Sequence, residues 1–283
     1  MHSQLSFEIV IAHYNEDLSW LEGLTDSCTI YSKGGNKNAP NLPHQKLPNI
    51  GREGHTYLHH IVERYDTLPD VTIFLQGRID DHVSIPLTEI VQLALATENQ
   101  VTTFPFRELE LFDEWDGIAW SDYLCWKKWT SMPMLPARKT PGEYWQQFFP
   151  SSSLTHARKK VPVSVGFQPA ALFAVRRETI TQHPRAFYES LMHEMFLGDM
   201  AHVNPETGHF LERLWLVIWD AGRYVCWGGE DVAREERNEL GQLGKGRWHR
   251  TPKGVEVDEC AVAPGGRDGY VEHCMTLNVR QVG

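Results

Sequence analysis

A run of polar residues follows an apolar segment near position 75, and its residue types could support acid–base chemistry. Residues 71–75, VTIFL, have the composition of a buried strand. The polar residues that follow it are Gln76, Arg78, Asp80, Asp81 and His82. Ligands usually bind at the carboxyl ends of strands in an open α/β sheet. A carboxylate beside an imidazole can raise its basicity, so Asp80, Asp81 and His82 are candidate catalytic residues. Gln76 is a candidate substrate-binding residue. The same oxygens could instead bind a divalent cation, or the trio could be a polar turn that caps the next helix.

The segment before that strand, about 53–65, predicts an amphipathic helix. Arg52, His55 and His59 share a polar stripe beside its apolar face. His55 and His59 lie four residues apart, a spacing that can chelate a metal, but no acidic residue between them completes a zinc-protease motif. We therefore predict no metal, a catalytic role for His55, and substrate-binding roles for Arg52 and His59. A hydrogen-bonded or solvated stripe is the alternative.

Two further polar groups follow predicted strands. His13 and Glu16, in HYNE, follow the apolar residues 5–12, and they could face the same crevice as candidate catalytic residues. Helix capping by Asn15 and Asp17 is the alternative. Lys33 follows the predicted strand 28–32 and is flanked by glycine, so it could bind an anionic group of a substrate.

Acidic and aromatic residues alternate in the segment ELELFDEWDGIAW. A guanidinium can form bidentate hydrogen bonds with carboxylates and stack on aromatic rings, so this pattern suits a cationic, planar substrate such as arginine. Asp113, Glu114 and Asp116 are the candidate ligands. An exposed acidic loop held by core aromatics is the alternative. Glu212, in the apolar sequence FLERLW, either pairs with a core arginine or faces the site as a substrate-binding residue.

The charge balance argues against general nucleic-acid binding. The net charge is −10, although residues 156–160, HARKK, could form a local basic patch. Arg158, Lys159 and Lys160 are therefore candidate contacts for RNA phosphates, with a solvated loop as the alternative. DNA and membranes are not expected partners.

Several features limit the class of protein. A chain of 283 residues with 41% hydrophobic residues can form a substantial core. The N-terminal apolar run of about seven residues is too short for a signal peptide or membrane anchor, and the five cysteines are widely spaced. A cytoplasmic location is therefore expected. No phosphate-binding glycine motif or nucleophile elbow is present, so dinucleotide enzymes, P-loop enzymes and α/β-hydrolases are disfavoured, and no cofactor is predicted.

The order of elements predicts an α/β domain with a mainly parallel sheet flanked by helices. Besides the segments above, we expect a helix at 86–96, a strand near 101–106, irregular strand at 161–177, and helices at about 178–196 and 207–220. Residues 131–160 are rich in Pro, Ser and Lys and predict a long surface loop. We divide the chain into a catalytic domain, residues 1–227, and an irregular C-terminal extension or lid, residues 228–283.

Six segments together resemble a large fungal family of uncharacterised proteins that is distantly similar to glycosyltransferases of the GT-A type. They are HYNEDLSWL, YSKG, LPNIGREGHTYLHHIV, LPDVTIFLQG, FAVRRETITQHPRAFYESL and LERLW. The resemblance covers about residues 8–220 and implies a GT-A-like, Rossmann-like scaffold. Metal-dependent transferases of that type carry Asp-x-Asp after a central strand, whereas this chain has QGRIDDH. Some soluble members of the family are similar to arginine-containing cyclodipeptide synthases, which use aminoacyl-tRNA.

Three functional hypotheses follow. The first is a tRNA-dependent synthase that forms a diketopiperazine from arginyl-tRNA and a second aminoacyl donor in fungal secondary metabolism. Ser32 or Ser121 could be a covalent nucleophile in this reaction, and direct aminolysis without a nucleophile is the alternative. The second is a glycosyltransferase that uses a nucleotide sugar at Asp80 and Asp81. The third is a ligand-binding module without catalytic activity.

Overall fold

The computed structural model describes residues 5–36, 39–104, 109–117, 134–149 and 161–226, together with the backbone of residues 246–247. Its strands are β1 (Phe7–His13), β2 (Cys28–Ser32), β3 (Gln45–Lys46), β4 (Val71–Gln76), β5 (Val101–Thr103), β6 (Glu110–Phe112), β7 (Ser164–Phe167), β8 (Phe173–Arg176), β9 (Val225–Cys226) and β10 (Gly246–Arg247). Its α-helices are α1 (Arg52–Arg64), α2 (Leu87–Ala96), α3 (Pro141–Phe148), α4 (Arg177–Ile180), α5 (Arg185–Phe196) and α6 (Glu206–Tyr224).

A six-stranded sheet with the order β3-β2-β1-β4-β8-β5 forms the centre of the fold. The four strands from β3 to β4 are mutually parallel, and β8 pairs antiparallel with both β4 and β5. The prediction of a mixed α/β fold with a mainly parallel sheet flanked by helices is therefore confirmed.

The register of this sheet brings three strand ends together. His13 at the end of β1 lies opposite Ser32 at the end of β2, and Ala12 lies opposite Gln76 at the end of β4. The helix α1 connects β3 to the parallel strand β4, so it begins at this same edge and runs back across the sheet. Polar residues at the ends of β1, β2 and β4 and at the start of α1 therefore share one edge of the sheet.

The sheet has an apolar layer on each face. Successive residues of a strand point to opposite faces. Val10 accordingly packs in one layer with Leu58 of α1 and Leu214 of α6. Its neighbours Ile9 and Ile11 pack in the other layer with residues of α2. Because Ile9, Val10 and Ile11 are covered on both faces of the sheet, a ligand could approach His13 only from the end of β1.

A second sheet, with the order β10-β6-β7-β9, was not expected from the sequence. The strand β6 pairs antiparallel with β7, and β7 packs against α6. This arrangement places the acidic aromatic segment that contains β6 beside the polar residues of α6.

The segment 131–160 contains a helix, so the prediction that all of it forms a surface loop was wrong. Thr140 accepts a hydrogen bond from the Glu143 amide at 3.2 Å, and the Glu143 carboxylate accepts one from the Thr140 amide at 2.7 Å. This capping box and Pro141 at the first position start α3. Tyr144, Trp145 and Phe148 then bury the apolar face of α3 in the core.

The predicted helix at 178–196 is interrupted. The helix α4 ends at Ile180, and α5 begins at Arg185. Pro184 explains the break, because proline disfavours helical backbone at the residue before it. Among the helices within the described ranges, we find none with the length and apolar surface that a membrane span requires.

Candidate functional site

The ends of β1 and β2 carry a buried histidine–serine pair. His13 Nδ1 lies 3.0 Å from Ser32 Oγ, and His13 Nε2 lies 3.2 Å from the backbone oxygen of Glu16. A carbonyl oxygen can only accept a hydrogen bond, so Nε2 carries the proton and Nδ1 accepts from the Ser32 hydroxyl. Burial lowers the pKa of His13, although the nearby Glu16 charge partly opposes this shift. A neutral imidazole is thus oriented as a base toward a hydroxyl.

The Glu16 carboxylate lies between the ends of β1 and β4. Its Oε2 accepts hydrogen bonds from the amides of Tyr14 at 2.7 Å and Asn15 at 3.0 Å. The Glu16 carboxylate can occupy this position only because residue 77 is glycine, since a Cβ atom at Gly77 would lie 2.5 Å from Glu16 Oε2. The Gly77 amide also bonds to Ala12 of β1 at 2.8 Å. The predicted residues Glu16 and His13 therefore do lie beside the end of β4.

Lys33 is buried between the end of β2 and the start of α1. Its Nζ donates to the backbone oxygen of Ile50 at 2.7 Å and also to that of Arg52. Burial lowers the pKa of Lys33 to about 7, and the Glu53 carboxylate opposes that shift. The structure thus brings the predicted residue Lys33 into direct contact with Arg52, whose guanidinium lies 3.6 Å from Glu53.

The predicted histidines of α1 lie close together. The rings of His55 and His59 are stacked with their centroids 6.2 Å apart. Burial, together with the Lys33 and His59 charges, lowers the pKa of His55 to about 3. His55 Nδ1 is buried and has no hydrogen-bond partner among the described residues. Its ring also packs edge-on against Phe196, so His55 serves as a neutral, largely packed side chain at the base of the site.

Gln76 and Glu212 are joined through one strained turn. Gln76 Nε2 donates to the Ala170 oxygen at 2.7 Å, and Glu212 Oε1 accepts from the Ala170 amide at 2.8 Å. Ala170 and Ala171 have φ values of 74° and 52°. Left-handed backbone costs a non-glycine residue about 1–2 kcal/mol, and strain of this kind concentrates at functional sites. Two predicted substrate-binding residues therefore hold a strained turn at the edge of the sheet.

Glu212 belongs to a buried network on α6. Its Oε2 lies 3.3 Å from Arg213 Nη1 and 3.8 Å from His209 Nδ1. Burial alone would raise the pKa of Glu212, but hydrogen bonding to His209, the Arg213 charge and the Ala170 amide lower it to about 2. Burial lowers the pKa of His209 to about 4. Of the two alternatives for Glu212, the ion pair with an adjacent core arginine is present.

The acidic aromatic segment faces a guanidinium of the chain itself. Arg213 lies over the Phe167 ring at 4.8 Å, and Glu110 and Glu114 both act electrostatically on it. Asp113 and Asp116 are exposed. Of the three predicted guanidinium ligands, one therefore already neighbours Arg213, and the other two point toward solvent.

The group after β4 is arranged around Arg78. Arg78 Nε lies 2.7 Å from Asp80 and 4.0 Å from Asp81, and His82 Nε2 lies 3.7 Å from Asp81. A guanidinium between two carboxylates opposes binding of a divalent cation there. In the described ranges, no three His, Cys, Asp or Glu side chains are grouped to hold a metal ion. Nor does any hydrogen bond or ion pair there join Asp80 or Asp81 to His13, His55 or Glu212.

The structure thus unites some of the predicted residues. His13, Glu16, Lys33, Arg52 and Gln76 converge at one edge of the sheet, and Glu212 reaches that edge through Ala170. Arg158, Lys159 and Lys160 lie outside the described residues. Sequence reasoning assigned no role to His209, Arg213 or the Pro169–Ala171 turn. The charges of Glu212 and Arg213 within an apolar helix were the signal that could have identified the network.

Comparison with known proteins adds one finding. Residues 9–233 match a family described as "Protein of unknown function (DUF3431)". No curated protein and no solved structure matches the chain. The match includes all of the central sheet except the first two residues of β1, together with all the converging residues, and it covers well over half of the 283 residues. The chain is therefore a member of the DUF3431 family.

Proposed function

We propose that this protein is a tRNA-dependent cyclodipeptide synthase on a GT-A-like scaffold, which forms a diketopiperazine from arginyl-tRNA and a second aminoacyl donor. The observation that carries the proposal is the contact of 3.0 Å between His13 Nδ1 and Ser32 Oγ. A hydroxyl, a neutral base and a third group that orients the base are the components of nucleophilic acyl transfer. The backbone oxygen of Glu16 is the third group.

The proposed chemistry consists of acyl transfers that need no oxidant or cofactor. Ser32 Oγ attacks the ester carbonyl of the aminoacyl-tRNA while His13 Nδ1 takes the hydroxyl proton. The C–O bond to the tRNA breaks, and His13 returns the proton to the departing ribose oxygen. The amine of the second aminoacyl-tRNA then attacks the acyl-serine carbonyl and forms the first amide. The C–O bond to Ser32 breaks, and His13 passes the amine proton to Ser32 Oγ. The free amine of the arginyl residue then attacks the ester carbonyl of the second aminoacyl-tRNA, which closes the ring. The C–O bond to that tRNA breaks, and the amine proton goes to the departing ribose oxygen.

The burial of His13 supports its assignment as the base. A histidine with a lowered pKa is neutral at pH 7 and can accept a proton. Since Glu16 fixes the tautomer, the lone pair lies toward Ser32. Arg158, Lys159 and Lys160 are the proposed contacts for tRNA phosphates, and tRNA as a substrate fits a cytoplasmic site of action. Asp80, Asp81 and His82 have no step in this proposal.

The test is to incubate the full chain with a set of aminoacylated tRNAs that includes arginyl-tRNA and to analyse the products by mass spectrometry. We expect a cyclic dipeptide that contains arginine. Ser32→Ala should remove nearly all of it. Ser190→Ala is the matched control, because Ser190 is exposed on α5 and bonds to its own helix. Absence of a diketopiperazine with every set of donors would contradict the proposal.

Intact mass spectrometry tests the covalent step directly. With arginyl-tRNA alone, the protein should gain the mass of one arginyl group, and the Ser32→Ala variant should not. If a diketopiperazine forms but no acylated protein is detected, the synthase activity is supported and the role of Ser32 as a covalent nucleophile is contradicted. The nucleotide-sugar hypothesis predicts instead that a nucleoside diphosphate with Mn²⁺ raises the melting temperature strongly. If neither a diketopiperazine nor such a rise in melting temperature is observed, the third hypothesis, a ligand-binding module without catalytic activity, is favoured.

A further inference from the structure

We propose that Glu16 is the residue that binds the arginine guanidinium, an inference that rests on the proposed function. A carboxylate that binds a cationic substrate needs a fixed position, an oxygen open to the ligand, and a place beside the reacting groups. Glu16 meets each of these conditions at the edge of the sheet.

The position of the carboxylate is fixed from two directions. The amides of Tyr14 and Asn15 both donate to Oε2. Gly77 also lies against Oε2, and any side chain at that position would collide with the carboxylate. A carboxylate held by backbone groups loses little further conformational freedom when a ligand binds.

The second oxygen of Glu16 remains available. Among the described residues, Glu16 Oε1 has no hydrogen-bond partner, and the side chain is partly exposed. This differs from Glu212, whose two oxygens contact Ala170 and Arg213. It differs also from Glu114, which lies in the electrostatic field of Arg213. Glu16 is thus a carboxylate at this edge of the central sheet that can still bind a guanidinium.

Glu16 and Ser32 contact opposite nitrogens of the His13 ring. Ser32 does so through its hydroxyl, and Glu16 does so through its backbone oxygen. The carboxylate continues away from β2 toward Gly77, after β4. In the proposed complex, the carbonyl of an arginyl group lies at Ser32 Oγ and its side chain extends past His13 toward Glu16, whereas its α-ammonium stays beside Ser32.

The experiment measures binding of two aminoacyl esters by calorimetry, arginine methyl ester and citrulline methyl ester. Citrulline has nearly the shape of arginine but no charge. The wild-type protein should bind the arginine ester at least about tenfold more tightly, as expected for a charge-assisted hydrogen bond. Glu16→Gln should remove this preference while keeping an acceptor for the two amides. Glu22→Gln, at an exposed position nearby, is the control.

Gly77→Ala provides a second variant that leaves all charges unchanged. It should also reduce the arginine preference, because the new methyl group displaces the carboxylate. Gly208→Ala is its control, since a Cβ there makes an ordinary contact of 3.7 Å with Phe196. Equal preference for arginine in wild type and Glu16→Gln would overturn the assignment, as would equal binding of both esters by wild type. Binding of the esters requires no turnover, so it is measured independently of catalysis. If no diketopiperazine forms but the protein still prefers the arginine ester, the proposed synthase activity is contradicted and the assignment of Glu16 as the guanidinium site is retained.

Discussion

Gln76 and Glu212 hold Ala170 by both of its backbone polar groups, from two different elements of the fold. The bond from Gln76 is 2.7 Å and the bond to Glu212 is 2.8 Å. Gln76 ends a central strand and Glu212 lies in the middle of α6, so this turn ties the sheet to the helix that carries the charged network. Strained backbone persists where the surroundings fix it from several sides, and these two bonds are such constraints.

The strain at this turn gives the first prediction. Ala171 is buried with a φ of 52°. In Ala171→Gly, relief of about 1–2 kcal/mol of strain should roughly offset the lost methyl burial and the entropy of glycine. The free energy of unfolding should therefore stay within about 0.5 kcal/mol of wild type. Ala174→Gly, in the extended strand β8, should lower it by about 1–2 kcal/mol. Urea titrations measure both values, and equal losses would show that the turn stores no strain.

The start of α1 gives the second prediction. A Cβ at Gly51 would lie 2.5 Å from Phe196 Cδ1, and its φ is +61°. Gly51→Ala should lower the free energy of unfolding by about 2–4 kcal/mol through overpacking and backbone strain. Gly23→Ala, with a φ of +84° and nothing within 4 Å, should cost only the strain, about 1–2 kcal/mol.

A double mutant separates the two contributions at Gly51. Phe196→Ala removes the ring atoms Cγ and Cδ1 that a Cβ would meet, so Gly51→Ala/Phe196→Ala should cost less than the sum of the single variants. Thermal and urea unfolding of the four proteins give the interaction energy. Strict additivity would mean that the ring does not limit position 51.

Much of this arrangement follows from sequence patterns that are local. Apolar runs predict β1, β2 and β4, and helical periodicity predicts α1, because each pattern reflects burial of that segment alone. The convergence of His13, Lys33 and Gln76 then follows from the rule that parallel strands end at one edge. The α3 helix could also have been predicted, since Thr140, Pro141 and Glu143 form a local capping signal that the surrounding Pro- and Ser-rich composition obscured.

Other features depend on contacts that no local pattern contains. The pairing of His13 with Ser32 requires the register between two strands. The ion pair of Glu212 with Arg213 requires a low-dielectric site that tertiary packing creates, so the sequence left two alternatives open. The sequence does not indicate that Ala170 and Ala171 have left-handed backbone, because alanine prefers helical conformations. The hydrogen bonds that hold this turn come from Gln76 and Glu212, which are distant in sequence.

The buried ion pair gives the third prediction. Glu212→Gln and Arg213→Met should each lower the free energy of unfolding by about 2–4 kcal/mol, since each removes the nearest opposite charge from a group in this network. The double variant should cost less than their sum, with an interaction energy of about 1–3 kcal/mol. The surface pair Arg177–Asp70, at 2.6 Å with both groups partly exposed, is the control, and its cycle should give under about 1 kcal/mol. Equal interaction energies in the two cycles would contradict a special role for burial.

The buried histidines give the last prediction. Burial lowers the pKa of His55 and His60 to about 3 and that of His209 to about 4, whereas an unfolded histidine titrates near 6.5. Between pH 6.5 and about 4 the unfolded chain therefore binds more protons than the folded one. Stability is then fully present above pH 6.5 and falls as the pH decreases, by up to about 1.4 kcal/mol per pH unit for each histidine. Urea titrations at closely spaced pH values measure this slope.

A variant of one histidine identifies the origin of the slope. His60 is fully buried and its Nδ1 lies 3.2 Å from the Tyr31 hydroxyl, a contact in which a glutamine oxygen could take part. His60→Gln should reduce the dependence of stability on pH by about one proton between pH 6.5 and 4. His193→Gln, at an exposed position on α5, should leave it unchanged. An unchanged slope in the His60 variant would mean that this imidazole takes up its proton without unfolding, and that solvent reaches its site in the folded state.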